Sequence, residues 1–262
     1  MPRCGRPTRD GTPAVNQETR ILMGMPVTIA IVDTPPPGLI DRVFAYFAEI
    51  DRRFSPFRPD SEVRALDGAG SASAALSPDM REILALADYT RCQTGGYFDI
   101  RRADGRIDPS GIVKGWAVRN AAGQLAAAGV GNFFVDAGGD IQCAGRDPAG
   151  QEWRAGIRNP FNEAEIIKVI APRGRGIATS GTYARGQHIY DPHRPGRPIE
   201  DVVSLTVIGP DVLEADRFAT AAFAMGRDGI RFIEACPQLE GYAVDRNAAA
   251  TQTSGFGWFV VS

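Results

Sequence analysis

The chain has 262 residues, 44% of them hydrophobic, which is enough for an ordinary buried core in one large domain or two small ones. Its 29 Lys and Arg are balanced by 31 Asp and Glu, and a formal net charge of −2 lacks the basic excess that nucleic-acid binding draws on. The four cysteines, Cys4, Cys92, Cys143 and Cys236, form none of the paired spacings of zinc sites or disulfide frameworks, so reduced thiols are expected.

Residues 1–18 hold Pro, Gly, Arg and Thr but no apolar run fit for a signal-peptide core, and read as a frayed arm. The rest, 19–262, shows no linker or low-complexity run and reads as a single domain, with two intertwined lobes as a permitted subdivision. No window is long and apolar enough to span a bilayer, so the expectation is a cytoplasmic protein, or a periplasmic one if a leader precedes this sequence.

In chain order, residues 19–33 read as a strand interrupted at Gly24 and running into the turn at Pro35–Pro37. Ile40, Val43, Phe44, Phe47 and Ile50 recur at helical spacing and predict a helix over 39–53, followed by a loop in which Ser61 opens a short helical turn. A second helix is expected over 78–94, burying Met80, Ile83, Leu84, Leu86, Ala87 and Tyr89 and stopped by Gly95 and Gly96. A short strand over 97–101 and a polar turn at Asp104 and Gly105 lead to DPSGIVKGWA. There Ser110 is the expected cap, and Gly111, Lys114 and Gly115 form a first turn whose free N–H groups attract anions.

Residues 132–145 read as a buried strand broken by Gly138 and Gly139, a mark of a bulge or of close approach to the backbone. Strands at 153–158 and 165–170 suggest a β meander, and the polar, Gly- and His-bearing stretch 176–199 is too rich in special residues for a linker. A strand at 202–208, helices at 213–226 and 229–236, and closing strands at 241–245 and 257–261 complete an irregular α+β alternation.

The helix over 213–226 carries the most chemistry. Asp211 can cap it, Gly226 can end it, and Asp216 and Thr220, four apart, place two hard oxygens on one face. In isolation such a pair is a solvated Asp and a Thr bonded back to its own helix; as a pair of ligands it suits a magnesium-like cation. His188 and His193 flank a turn, but no nucleophile elbow accompanies them, and the GxGxxG dinucleotide fingerprint is absent. A phosphate-binding helix start, a double glycine after a strand, a TSG turn and an oxygen pair together describe a site for a phosphate-bearing ligand and a divalent cation, with phosphoryl transfer as the chemistry.

These motifs in this order, MGMP at Met23, FSPFRPDSEVRALD, GGYFDI, DPSGIVKGWA, DAGGDI, ATSGTYARG, HIYDPHRPGRPI and EADRFAT, resemble the FAD:protein FMN transferase family, also called the ApbE family. The resemblance implies a T-fold-like α+β structure with mixed or antiparallel sheets packed by helices. It implies FAD as substrate, Mg2+ as cofactor, and transfer of FMN to a threonine hydroxyl of a target flavoprotein with release of AMP. By position, the metal falls to the side chains of Asp216 and Thr220 and the carbonyl of Gly111; the flavin nucleotide falls to Met23, Phe57, Tyr97, Phe98, Asp99, Asp108, Lys114 and Ile189. Asp216 or Asp108 is the implied acceptor of the hydroxyl proton. The chain departs from the family pattern in having Phe57 for a Tyr, DPSGIVKG for DLGGIAKG, Arg101 for a Thr or Ser, and only a short segment where the family carries a long insertion after FDI. An FAD diphosphatase that uses water, and a silent flavin-binding protein, are the alternatives this reading leaves open.

Overall fold

The computed structural model describes residues 15–68, 76–102, 104–181 and 189–261. It is α+β. The strands are β1 (Asn16–Leu22), β2 (Met25–Ile31), β3 (Phe133–Ala137), β4 (Asp140–Ala144), β5 (Ala155–Asn159), β6 (Asn162–Ile170), β7 (Gly176–Gly181), β8 (Val202–Gly209), β9 (Glu240–Asp245) and β10 (Ala250–Gln252). Eight form one sheet in the order β1-β2-β3-β4-β7-β8-β9-β10, and β5 and β6 form a separate ribbon. Every described pairing is antiparallel.

The helices are α1 (Leu39–Phe54), α2 (Glu62–Gly68), α3 (Pro78–Gln93), α4 (Ser110–Ala127), α5 (Val212–Ala224) and α6 (Gly229–Ala235). Helix α4 lies on β3 and β4, α5 lies on β4, β7 and β8, and the two pack against each other. Helix α1 covers α4 from the other side. Squeezed between sheet and helix, α4 buries the unbroken run Ile112–Val118, including Lys114. A helix apolar all round is one enclosed by its neighbours.

Two stretches expected as interrupted strands are hairpins. Met23 and Gly24 have φ of 53° and 73° and connect β1 to β2, with Leu22 opposite Met25. Gly138 and Gly139 have φ of 60° and 96° and connect β3 to β4, with Ala137 opposite Asp140. Positive φ at both central residues gives the two-residue turn whose twist matches its flanking strands, so these glycines reverse the chain rather than interrupt a strand. Since β1 begins at Asn16, the sheet also takes up the last residues of the expected arm.

Several other expectations change. Residues 97–101 are irregular, and only Arg101 bridges to Ile107. Ser110 is the first residue of α4, not its cap; Pro109 holds the cap position and the Asp108 carboxylate accepts the Ser110 N–H at 3.2 Å. Lys114 and Gly115 therefore stand in the second turn. Tyr89 is 58% exposed, while Thr90 is buried in its place and accepts a hydrogen bond from Arg217. Trp153 precedes β5 because its indole is spent on the main sheet, donating to the Ala144 carbonyl at 2.8 Å and packing on Phe134. The tight turn from Asn159 to Asn162 lets β6 start three residues before its expected position, giving a two-stranded ribbon and not a meander. At the end of the chain, Phe256–Phe259 is a 3-10 turn that buries Phe256 and Phe259, and β10 is the sheet's unforeseen edge.

Candidate functional site

The site is built where α4 crosses α5. Asp211 caps α5 by accepting the Glu214 N–H at 2.9 Å, and Gly226 follows the helix at φ 62°, so the helix is fixed at both ends. That phase turns Asp216, 3% exposed, and Thr220 toward the start of α4. A Cβ built on Gly111 would stand 3.3 Å from Thr220 Oγ1. A Cβ on Gly115 would stand only 2.7 Å from Asp216 Cβ and 2.9 Å from the Val212 carbonyl. Two glycines one turn apart thus let the helices approach until the Gly115 N–H donates to Asp216 Oδ2 at 2.8 Å. In an uninterrupted helix that N–H serves the carbonyl of Gly111, so Asp216 competes for that donor.

Beside this crossing lies a cleft lined by Tyr97, Phe98, Asp99, Asp108, Gly111, Lys114, Ile189, Asp216 and Thr220 among others. These are nine of the eleven residues singled out in the sequence. Met23 and Phe57 do not line it: Met23 sits in the β1–β2 turn against the core, and Phe57 is 87% exposed. The hairpin that carries Met23 does pack, through Met25, against the cleft-lining Gly138, where a Cβ would lie 2.9 Å from Met25 Sδ.

Lys114 extends from the second turn of α4 to Asp140, Nζ to Oδ2 2.8 Å, and Asp140 is wholly buried. The charge expected to face a phosphate is thereby compensated from below. Asp136, across the β3–β4 turn, has its carboxyl pushed above the usual range by burial, with Asp140 adding to the rise and the Gly139 N–H and Lys114 opposing it. Asp140 escaped the sequence reading because only the hairpin brings it under α4. Its signal was the DAGGDI motif, in which it follows the turn.

On the opposite wall, Phe98 is buried and its N–H donates to Thr94 Oγ1 at 3.1 Å. Asp99 accepts the Arg101 N–H at 2.8 Å and meets Arg91 at 3.1 Å, while Asp108 meets Arg102 at 3.5 Å. Thr179, Ser180 and Gly181 of β7, together with Tyr190 and Pro192, complete the lining. Residues 182–186 of ATSGTYARG, and His188, lie outside the described residues. Burial raises the Tyr190 phenol above its ordinary range, and the neighbouring Asp99 charge raises it further.

The donor set decides which metal could bind. Among the described residues no three His, Cys, Asp or Glu side chains gather as a metal cluster. One carboxylate, one hydroxyl and one carbonyl are hard oxygens, too few for a closed all-protein cage, and fit a cation that keeps water and substrate phosphate in its shell. Magnesium matches this chemistry; zinc, which favours nitrogen and sulfur ligands, does not.

Known proteins with similar sequences and folds identify the family. The ApbE family pattern matches residues 23–104 and 101–243. The FAD:protein FMN transferase of Vibrio cholerae is 37% identical over 132 residues, 47% of this chain and 39% of that protein. That of Salmonella typhimurium is 35% identical over 130 residues, 46% and 37% of the respective chains. The aligned stretches thus span less than half the length of these curated relatives. The solved flavin transferase ApbE from Vibrio cholerae superimposes with a TM-score of 0.83 at 25% identity, covering 94% of this chain and 99% of that one. An ApbE protein from Thermotoga maritima shares the fold, with a TM-score of 0.84 at 21% identity. With the family pattern covering most of its length and an antiparallel α+β fold of the same kind, this chain belongs to the ApbE family.

Proposed function

We propose that this protein is a magnesium-dependent FAD:protein FMN transferase, which moves FMN from FAD to a threonine hydroxyl of a target flavoprotein and releases AMP. The observation that carries the reading is the meeting of Gly111, Asp216 and Thr220 at the α4–α5 crossing, in the wall of a cleft that Lys114 also lines. Asp216, Thr220 and the Gly111 carbonyl would hold the cation. When bound, Mg2+ supplies positive charge against the diphosphate as negative charge develops.

The chain's own residues do the rest. Tyr97 and Phe98 offer an aromatic wall to the flavin, and the backbone start of α4 offers N–H groups and a positive helix end to phosphate. The acceptor threonine Oγ forms a bond to the phosphorus of the FMN half, and the bond from that phosphorus to the oxygen bridging to AMP breaks, so AMP leaves with that oxygen. The threonine proton passes to a carboxylate. Asp216 is taken up as a cation ligand in this reading, whereas Asp108, half-buried at the mouth of α4, is not one, so Asp108 takes the proton. The nucleophile comes from the acceptor, which accounts for a site without a triad.

The test is incubation with FAD, Mg2+ and an acceptor domain bearing a threonine, followed by mass analysis. A flavinylated acceptor with equimolar AMP is expected. AMP with free FMN and no labelled acceptor would replace the transferase with a diphosphatase, and absence of AMP would remove both.

A further inference from the structure

We propose that Tyr190 and His193 are positioning residues that clasp the irregular segment 95–101, so that Tyr97 and Phe98 stand as a fixed aromatic wall for the planar ring of the flavin. The proposal rests on FAD being the substrate, and adds to it which residues set flavin affinity.

The need for a clasp follows from the backbone. Residues 97–101 belong to no strand; the Arg101–Ile107 bridge and the Arg91–Asp99 ion pair tie their far end to the chain. On the near side Gly95 and Gly96 take φ of 60° and 88°, and Thr94 holds the segment by accepting the Tyr97 N–H on its carbonyl and the Phe98 N–H on its hydroxyl. The Phe98 ring is held by burial in the core beside Gly111, whereas the Tyr97 ring is only half-buried at the edge of a second cluster and relies on contacts from elsewhere. Such a segment opens locally at low cost unless other contacts hold it.

Residues 190–193 supply those contacts at both ends. The Tyr190 hydroxyl donates to the Arg101 carbonyl at 3.2 Å and lies 3.4 Å from the Asp99 carbonyl. His193 Nε2 is 3.0 Å from the Gly95 carbonyl, which fixes Nε2 as the protonated nitrogen, and its ring meets the Tyr97 ring edge-on at 4.5 Å between centroids. The imidazole lies directly over Gly96, where a Cβ would come within 3.2 Å of Cε1. Asp191 sets the clasp's own shape by accepting the His193 N–H at 2.9 Å. Ile189, Tyr190 and Pro192 line the same cleft as Tyr97 and Phe98, so the clasp joins two walls of one site.

Three variants separate the possibilities: His193→Ala, His193→Gln, whose amide N–H can still reach the Gly95 carbonyl, and Tyr190→Phe. In the ligand-free proteins, hydrogen exchange of the amides at 97–101 should quicken in His193→Ala and Tyr190→Phe and return toward the parent rate in His193→Gln. In FAD titrations followed by flavin fluorescence, His193→Ala should weaken binding by roughly three- to thirtyfold, the range set by one hydrogen bond and one aromatic contact. In turnover the loss should fall on KM for FAD more than on kcat. Unchanged exchange in both His193→Ala and Tyr190→Phe overturns the clasp, as does a loss confined to kcat. If the parent protein binds no FAD, the transferase reading falls and the exchange measurement alone decides the clasp. Should His193→Ala fail to fold by circular dichroism, Tyr190→Phe, which removes one hydroxyl, carries the test.

Discussion

Gly115 and Asp216, 101 residues apart in the chain, are joined by a 2.8 Å hydrogen bond from the backbone of one helix to the carboxylate of another. The bond exists because position 115 has no side chain. Gly115→Ala sets two effects against each other: alanine favours a helix interior by about 1 kcal/mol, while overpacking a tight contact costs about 1–3 kcal/mol. The new Cβ would lie 2.7 Å from Asp216 Cβ, an atom no rotamer can move, so the overpacking wins. The expected outcome is a lower midpoint in urea together with loss of Mg2+-dependent AMP release. An equally stable and active variant would show that the helices can part without consequence.

Thr220 separates a ligand from a spacer. Thr220→Val keeps the shape and removes the oxygen, and should lower turnover by about tenfold or more, on the order of 1.4 kcal/mol, with a raised Mg2+ requirement. Thr220→Ser keeps the oxygen and should stay close to the parent. A magnesium titration of AMP release in the two variants reads the difference, and a fully active valine variant would take the hydroxyl out of the cation site.

The Lys114–Asp140 pair lies under the cleft with Asp140 wholly buried. Removing one partner of a buried pair costs about 3–5 kcal/mol because the other charge stays behind, whereas replacing both by apolar groups is often near neutral. Lys114→Met should therefore be more destabilised in urea than the double variant Lys114→Met/Asp140→Leu. If the double variant is the weaker of the two, the pair is held by more than its mutual charge.

Burial at Asp136 sets the sign of a pH dependence of stability. Burial raises its carboxyl above the unfolded value, so the folded state binds that proton more tightly. Its contribution is complete below the unfolded pKa and is lost as pH rises through the folded one. Asp136→Asn removes the titrating group. Thermal melts from acid to neutral pH should show the parent falling relative to the variant across the window above the ordinary carboxylate range, and parallel curves would contradict this.

Much of the helical framework was legible because its signals are local. The Ser61 hydroxyl accepts the Arg64 N–H and Asp211 caps α5, each as expected, and α3, begun where expected, is capped by Ser77, which had not been singled out. The spacing of Asp216 and Thr220 likewise set their common face. What the sequence hid was pairing. A strand that stops at a glycine and a strand that turns there have the same residues, so both Met23–Gly24 and Gly138–Gly139 passed for interruptions. Asp140 could not be matched with Lys114 before β4 was known to run beneath α4. Periodicity also failed for Phe256–Phe259, where two aromatics three apart face one core and Trp258 between them is exposed.

The distance along the chain between Gly115 and Asp216 has a bearing on how the protein comes to be active. Helix α4 and helix α5 are separated by six strands, and the sheet on which both rest closes only when β4 finds β7 and β7 finds β8. Contacts so remote in sequence form late, after the loop entropy between them has been overcome. The proposed cation site is therefore a product of completed topology. A ligand that bridges it would bind only the finished chain and draw the folding equilibrium toward it by mass action, so the contact proposed for the reaction would also report that folding has ended.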